Sequence, residues 1–445
     1  MAASDNLMEK LTSLCKRRGF IFPSSEIYGG INGFWDYGPL GAEMKRNVKD
    51  AWWKSMVHDR DDVVGIDSSI VMHPRVWEAS GHVASFTDPM VDCKQCKSRF
   101  RADKLDEYRA DKGKAADAKG CPDCGGELTE ARKFNLMFKT FVGPVEGDAS
   151  VAYLRPETCQ SIFVNFKQVQ TVSRQKVPFG IAQMGKSFRN EVTPRNFIFR
   201  SREFEQMEME FFCNPKDDQR WFEHWVQTRF DWYVGLGIRK EKLRLRPQAP
   251  DELAHYAKAA FDVEYEFPFG WQELEGIAHR GSFDLEQHTK FSGKDLSYYD
   301  DETKEHFVPV VIEPSAGVDR TLLTLLADAY DEEKLENDEE RVVLHLHPRI
   351  APIQVGVFPL SKKLAEPVQA LEKQLRKQFR TFYDDSGAIG RRYRRQDEVG
   401  TPYCVTFDFE SQNDNAVTVR ERDSMKQVRV PMAELPAYLG ERFNG

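Results

Sequence analysis

The stretch Phe188-Arg189-Asn190-Glu191-Val192-Thr193-Pro194-Arg195-Asn196-Phe197-Ile198-Phe199-Arg200 decides how the middle of this chain is read. Thr193-Pro194-Arg195-Asn196 is a turn-prone tip with strand-like residues on either side, so the pattern predicts a β-hairpin that returns along 197–212. On one strand of such a hairpin Arg189 and Glu191, two residues apart, face the same way. A guanidinium fits phosphate in a bidentate way, and a carboxylate accepts the exocyclic amine of adenine. Arg200 and Phe204 share a parity on the return strand, which adds a second cation and a ring on which a base can stack. From charge pattern alone, the competing reading is a salt-bridged hairpin facing solvent.

Working outward, strand-like runs occur at 179–184, 188–192, 197–200 and 207–212. Helical spacing of Ile162, Phe163, Phe166, Val169 and Val172 predicts a helix over 157–172, and aromatic residues supply the buried face of another over 221–234. Upstream, a helix over 40–57 starts at the Gly38-Pro39 breaker, and strands follow at 63–66 and 70–72, stopped by Pro74. The expectation is an α+β domain whose mixed, mainly antiparallel sheet is flanked by helices. Further on, Glu313-Pro314-Ser315-Ala316-Gly317-Val318-Asp319-Arg320 opens an apolar helix over 321–329. Small residues there let backbone approach a ligand, while Arg320 opposes the helix dipole and so suggests an anion to bind.

The acidic block 331–341 is read as a solvated linker or helix end. Beyond it, a strand at 353–358, a helix at 365–382 and a strand at 403–407 predict a separate α/β domain of the parallel kind. Within it, Arg391, Arg392, Arg394 and Arg395 surround Tyr393, a pattern that can contact phosphates and stack a single-stranded base, against the alternative of a generic basic loop.

A chain of 445 residues with 40% hydrophobic and 30% charged content predicts a globular protein of two domains, or two with an insertion. The net charge of -8, from 63 basic and 71 acidic residues, excludes a protein that coats nucleic acid through bulk electrostatics. No apolar run approaches the roughly 20 residues of a membrane span. The N-terminus lacks the charged start and apolar block of a secretory signal, so no membrane association and a cytoplasmic location are expected. Between 88 and 133 the composition turns to Cys, Lys, Asp and Gly, which marks an insertion. Its Cys93-Lys94-Gln95-Cys96 and Cys121-Pro122-Asp123-Cys124 pairs are knuckles spaced for one tetrahedral structural Zn²⁺, with reduced or redox-active pairs as the alternative. Cys15, Cys159, Cys213 and Cys404 are read as small buried apolar side chains.

These segments carry a family resemblance. The hairpin resembles motif 2 of class II aminoacyl-tRNA synthetases, the helix start at 317–320 resembles motif 3, and the helix before Pro74 resembles the dimer-forming motif 1. Asp319 stands where motif 3 commonly has Glu. Several segments are similar to the dimeric glycyl-tRNA synthetases, among them Ser25-Glu26-Ile27-Tyr28-Gly29-Gly30, Trp35-Asp36-Tyr37-Gly38-Pro39-Leu40-Gly41, Glu78-Ala79-Ser80-Gly81-His82, Arg101-Ala102-Asp103-Lys104-Leu105, Leu154-Arg155-Pro156-Glu157-Thr158 and Arg202-Glu203-Phe204-Glu205-Gln206-Met207-Glu208. The resemblance spans nearly the whole chain.

It implies a catalytic domain over 1–341, with a zinc-ribbon-like insertion at 88–133, and an anticodon-binding domain over 342–445. It implies activation of glycine by ATP with Mg²⁺, transfer to tRNA(Gly), and a homodimer. Catalytic roles fall on Arg189, Glu191 and Arg320. ATP contacts fall on those three together with Asn190, Phe199, Arg200, Phe204, Glu273, Leu274 and Gly317. Glycine contacts fall on Arg101, Glu157, Phe204, Glu205, Gln206, Glu208, Glu313 and Ser315. Those residue types suit the substrate, because glycine offers only an ammonium, held by acids, and a carboxylate. Exclusion of alanine then rests on a wall, since a methyl contact discriminates by only about 1–3 kcal/mol. The competing functions are a sister synthetase for threonine, proline or histidine, and a non-catalytic RNA-binding relative.

Overall fold

The computed structural model describes residues 2–115, 118–335 and 339–444; parts of the insertion and of the acidic block, 116–117 and 336–338, lie outside the described residues. A seven-stranded sheet runs in the order Leu243–Pro247, Ala259–Phe267, Gly270–Gly281, Val310–Gly317, Glu203–Cys213, Phe179–Phe188 and Val63–Ile66. Every neighbouring pair is antiparallel except the last, where Val63–Ile66 lies parallel to Phe179–Phe188. Strand alternation sorts the side chains. Met207, Met209 and Phe211 enter the main core, where Phe211 meets Trp221 and Trp225 of the helix Asp218–Gly235. The opposite parity carries Gln206, Glu208, Glu210 and then Phe212, which packs on Phe166 and Phe179 beneath the helix Cys159–Ser173. One strand therefore completes an apolar core on one side and presents acids on the other.

The helix expected over 40–57 is Pro39–Trp53, extended by a wider turn at Lys54–His58, with Met44, Val48 and Trp52 buried. Gly41 is required at its first turn, because a Cβ there would stand 1.9 Å from the carbonyl oxygen of Phe20. The strand expected at 70–72 is reduced to a single bridge between Val71 and Leu154.

The hairpin is present with different ends. Phe179–Phe188 is one continuous strand, and pairing resumes only at Glu203. The expected strands at 188–192 and 197–200 are instead a 14-residue excursion, 189–202, whose Asn196 and Phe197 adopt positive φ and whose Phe197–Phe199 forms a helical turn. Pro194 and the left-handed Asn196-Phe197 step are incompatible with a continuous ladder.

Two further expectations change. The acidic block forms a hairpin of Tyr330–Lys334 with Glu340–Leu344 rather than a solvated linker, because Val343 and Leu344 bury completely and Arg341 reaches Asp397 at 3.4 Å. The helix expected over 365–382 stops at Leu375, and Thr381–Tyr383 returns as a strand parallel to Val355–Pro359. The C-terminal sheet, Thr381–Tyr383, Val355–Pro359, Tyr403–Phe407, Ala416–Glu421 and Gln427–Pro431 in order, is consequently mixed: its first three strands are parallel and the rest antiparallel. It has its own apolar core, including Val357, Val368, Val405, Leu435 and Leu439.

The insertion holds a three-stranded sheet, with Thr87–Asp92 between Arg99–Arg101 and Arg132–Asn135, packed around Val91, Phe100 and Tyr108.

Candidate active site

The excursion 189–202 folds over the sheet and walls a cleft of about 380 Å³. Arg189, Glu191, Phe199 and Arg200 line it from the excursion, Phe204 and Gln206 from the return strand, Glu273 and Leu274 from the neighbouring hairpin, and Ser315, Gly317 and Arg320 from the helix start. Arg101 reaches it from the insertion, beside Asp88. Arg189 and Arg320, the two guanidinium groups expected to share a triphosphate, thus open into one cleft.

Each is held by backbone and rings. Arg189 Nε donates to the carbonyl of Pro156 at 3.0 Å, and its guanidinium lies 5.4 Å from the Phe204 ring centre and 5.5 Å from that of Phe86. Arg320 lies 4.5 Å over Phe199, donates to the carbonyl of Glu273 at 3.2 Å and pairs with the Glu273 carboxylate at 3.2 Å. Arg200 pairs with Glu191 at 3.2 Å. These contacts leave polar edges facing the cleft while fixing the side-chain stems.

Behind Gln206 and Ser315 lies a floor of acids, Glu157, Glu208 and Glu313, none of which lines the cleft itself. Glu208, 1% exposed, accepts from Ser315 at 2.6 Å, from Gln206 at 3.2 Å and from the Thr158 amide at 3.0 Å, and also from the Thr158 hydroxyl. Glu313 accepts from Arg280 at 2.8 Å, and Arg280 is held in a fork by Asp284 at 2.8 and 2.9 Å. Burial raises the Glu313 carboxyl, and Arg280, donating to it, pulls it back toward the ionised form. Glu157 accepts from the Cys159 thiol at 2.9 Å and Gln160 at 3.1 Å, with His82 at 3.3 Å. Burial opposes its ionisation, yet His82 and then Arg280 hold its carboxyl well below the ordinary range.

Three expected residues stand elsewhere. Glu205 faces the other side of the sheet, where Lys45 at 3.3 Å and Lys49 at 2.8 Å clamp it, because residues three apart on a strand point oppositely. Asn190 does not line the cleft; its amide donates to the carbonyl of Leu136 at 2.7 Å. Arg392 is 3% exposed and donates to the carbonyls of Pro359 at 2.6 Å and Asp384 at 3.2 Å, so the arginines near Tyr393 do not form one exposed patch. They lie on the helix Ile389–Val399. Arg394 pairs with Asp397 at 3.2 Å and Arg395 with Asp384 at 2.7 Å, whereas Arg391 is exposed. The Tyr393 hydroxyl hydrogen-bonds Thr406 at 2.6 Å, and its ring meets Phe358 at 5.9 Å and Arg420 at 4.9 Å.

Sequence reasoning missed Arg280, Asp284, Glu210 and His82 as parts of the floor. Parity along Glu203–Cys213 places Glu210 with Glu208, but no local signal links Arg280 or His82 to them. Asp319, where the departure from the common motif occurs, receives the Tyr37 hydroxyl, Lys45 at 2.9 Å and the Glu205 amide at 2.7 Å, so it braces the helix start.

In the insertion, the four cysteine sulfurs lie within 4.8 Å of one another. Cys93 and Cys124 are 3.5 Å apart and Cys96 and Cys121 3.6 Å apart, near the edge of about 3.8 Å that a tetrahedron with 2.3 Å Zn–S bonds requires. Hydrogen bonding at Ser98 pulls the Cys96 thiol down to about 6, toward the thiolate that a metal takes.

A guanidinium-lined cleft on an antiparallel sheet, with a separate C-terminal α/β domain, defines a class II aminoacyl-tRNA synthetase. Residues 145–329 match the tRNA synthetase class II core domain (G, H, P, S and T), and residues 354–442 match the anticodon binding domain. A glycine--tRNA ligase of Treponema denticola is 58% identical, covering 96% of this chain and 95% of its own; one from Thermobifida fusca is 54% identical with full coverage of both. One from Caldanaerobacter subterraneus is 56% identical over 98% of each. A structure described as the RNA binding domain of threonyl-tRNA synthetase from Cryptosporidium parvum shares the fold, with TM-score 0.68 at 17% identity over 96% of this chain and 97% of that one. The chain belongs to the glycine--tRNA ligase family.

Proposed function

We propose that the cleft binds ATP and its acidic floor binds glycine, so that the two substrates meet at Arg189. The chain is a class II glycine--tRNA ligase: it activates glycine and charges tRNA. Arg189 bridges the glycine carboxylate and the α-phosphate, Arg320 and Arg200 neutralise the outer phosphates, and Glu191 receives the adenine amine. Phe199, Phe204, Leu274 and the backbone at Gly317 enclose the nucleoside, with Glu273 holding Arg320 in place. Glu157, Glu208 and Glu313 grip the ammonium, Gln206 and Ser315 orient Glu208, and Arg101 closes the site from the insertion.

The chemistry is an in-line attack of the glycine carboxylate on the α-phosphorus, giving glycyl-adenylate and pyrophosphate. The nucleophile is already ionised, so no general base is required. Positioning and charge neutralisation lower the barrier. A tRNA ribose hydroxyl then takes the glycyl group and releases AMP. Mg²⁺ bound to the phosphates would neutralise their charge, and Glu273, beside Arg320, presents a hard oxygen donor such an ion takes. Zn²⁺ on Cys93, Cys96, Cys121 and Cys124 would hold the insertion's fold, as four thiolates leave no open position.

We assign 1–341 to the catalytic unit, with the zinc-ribbon-like insertion at 88–133, and 342–445 to the anticodon-binding unit, with Arg391, Arg394 and Arg395 facing tRNA(Gly). The working form is a cytoplasmic homodimer; among the described residues no helix is long and apolar enough to cross a membrane. The observation that carries the reading is the shared cleft of Arg189 and Arg320, whose lining Gln206 and Ser315 hydrogen-bond the buried Glu208. Amino-acid-dependent ATP–pyrophosphate exchange tests it: glycine alone supports exchange, and comparable exchange with threonine, proline or histidine would overturn it.

A further inference from the structure

Glu210 is fully buried, and neither of its carboxylate oxygens has a hydrogen-bond partner among the described residues. Alternation along Glu203–Cys213 puts it on the face of Gln206 and Glu208, one step deeper than Glu208. The register, with Glu208 opposite Ser315 and Phe211 opposite Ile312, sets it beside Glu313 on the adjoining strand. Ligand atoms of Cys159, Glu208, Glu210 and Glu313 all lie within 4.8 Å of one another.

Every other acid of this floor has a donor. Glu208 has four, from Thr158, Ser315 and Gln206, and Glu313 has Arg280. The charged and titratable groups facing Glu210 are Glu208 on its own strand, Glu313 on the adjoining strand, Arg280 on the strand beyond it, Asp284 on the helix Phe283–Ser292 and Cys159 at the start of the helix Cys159–Ser173. Arg280, the cation among them, is already occupied by Asp284 and Glu313. An ionised carboxylate with no protein donor, fully buried beside two other carboxylates, is strongly disfavoured, whereas a protonated one brings its own hydrogen. Burial, and then the charge of Glu313, push the Glu210 carboxyl far above its ordinary range.

We propose that Glu210 is a neutral, protonated carboxyl that donates its hydrogen to Glu313 and so acts as a positioning residue, aiming the Glu313 carboxylate at the glycine ammonium. The proposal rests on the assignment of this acidic floor to glycine. It makes the unused acid a hydrogen-bond donor rather than a fourth negative charge. A neutral donor limits the repulsion that the empty floor must bear and holds Glu313 between two donors, Arg280 and Glu210.

Two substitutions separate hydrogen bonding from charge and bulk. Glu210→Gln retains a donor without charge, and Glu210→Leu retains volume without a donor. In pyrophosphate exchange, Glu210→Gln keeps the glycine KM within about twofold of wild type, while Glu210→Leu raises it about tenfold or more and leaves the ATP KM unchanged. Difference infrared spectra at neutral pH show a protonated carboxylic acid carbonyl band that Glu210→Gln removes, a readout that stands even if Glu210→Leu fails to fold. An unshifted glycine KM in folded Glu210→Leu, equal impairment by the Gln variant, or no such band overturns the proposal. Glu208→Gln serves as the control for the pocket: if it raises the glycine KM and Glu210→Leu does not, only the role of Glu210 fails, and if neither does, the assignment of the floor to glycine fails with it.

Discussion

Glu205 and Glu208, three residues apart on one strand, answer to opposite sides of the sheet: Lys49 holds Glu205 at 2.8 Å, and Ser315 donates to Glu208 at 2.6 Å in the acidic floor. The two glutamates should therefore behave differently. Glu208→Gln lowers kcat/KM for glycine by roughly 30- to 150-fold, equivalent to about 2–3 kcal/mol, with little change in the ATP KM. Glu205→Gln leaves glycine kinetics unchanged and costs about 1 kcal/mol of stability by loss of its lysine pairs. Steady-state exchange kinetics and thermal unfolding of the two variants check this.

Arg189 and Arg320 approach the same cleft from the excursion and the helix start. Replacing either with alanine should slow glycine activation by roughly a hundredfold to a thousandfold, as expected for loss of a group that neutralises transition-state charge. The double variant should lose less than the product of the two, since both act on one triphosphate. Single-turnover adenylate formation measures each step.

Glu157 supplies a pH dependence with a definite sign. Its folded-state carboxyl is held below the ordinary range, with burial opposed by His82 and Arg280, so its stabilising contribution is present above about pH 4.3 and is lost as pH falls through the folded value. Wild type should exceed Glu157→Gln in stability by about 2 kcal/mol at neutral pH. That gap should close progressively in denaturant titrations below about pH 4.3.

The strand Arg99–Arg101 pairs with Thr87–Asp92, which leads directly into Cys93, and Arg101 lines the cleft. Cys121→Ser should abolish bound Zn²⁺, from about one ion per chain to none by elemental analysis. It should also raise the glycine and ATP KM values by loosening Arg101. Zinc-free variant protein with wild-type kinetics would separate the insertion from the site.

Arg391 and Arg392 are neighbours with opposite fates, one exposed and one 3% exposed. Arg391→Ala should weaken tRNA charging while pyrophosphate exchange is unchanged. Arg392→Ala should instead destabilise the C-terminal domain by about 2–4 kcal/mol, because the carbonyls of Pro359 and Asp384 lose their buried donor. Filter-binding of tRNA and domain unfolding distinguish the two.

The elements legible in the sequence were those with strong local periodicity. The helix at 40–57 and those at 157–172 and 221–234 emerge within a few residues of Pro39–Trp53, Cys159–Ser173 and Asp218–Gly235. The excursion 189–202 was less legible, because its aromatic content mimics a strand while Pro194 and the positive φ of Asn196 forbid one. The pairing of 330–334 with 340–344 was hidden by surface charge, since the buried Arg341 looks like any solvated cation until Asp397, 56 residues away, meets it.

By itself the sequence determined the family-defining segments, the cysteine spacing and the residue types that line the cleft, because these depend on local order along the chain. Tertiary structure alone decided which acids form the buried floor. Glu205 leaves it through strand parity, and Arg280, Asp284 and His82 enter it from elements distant in sequence. A carboxylate's role depends on which charges and donors surround it in three dimensions, and those neighbours are chosen by sheet register and burial rather than by spacing along the chain.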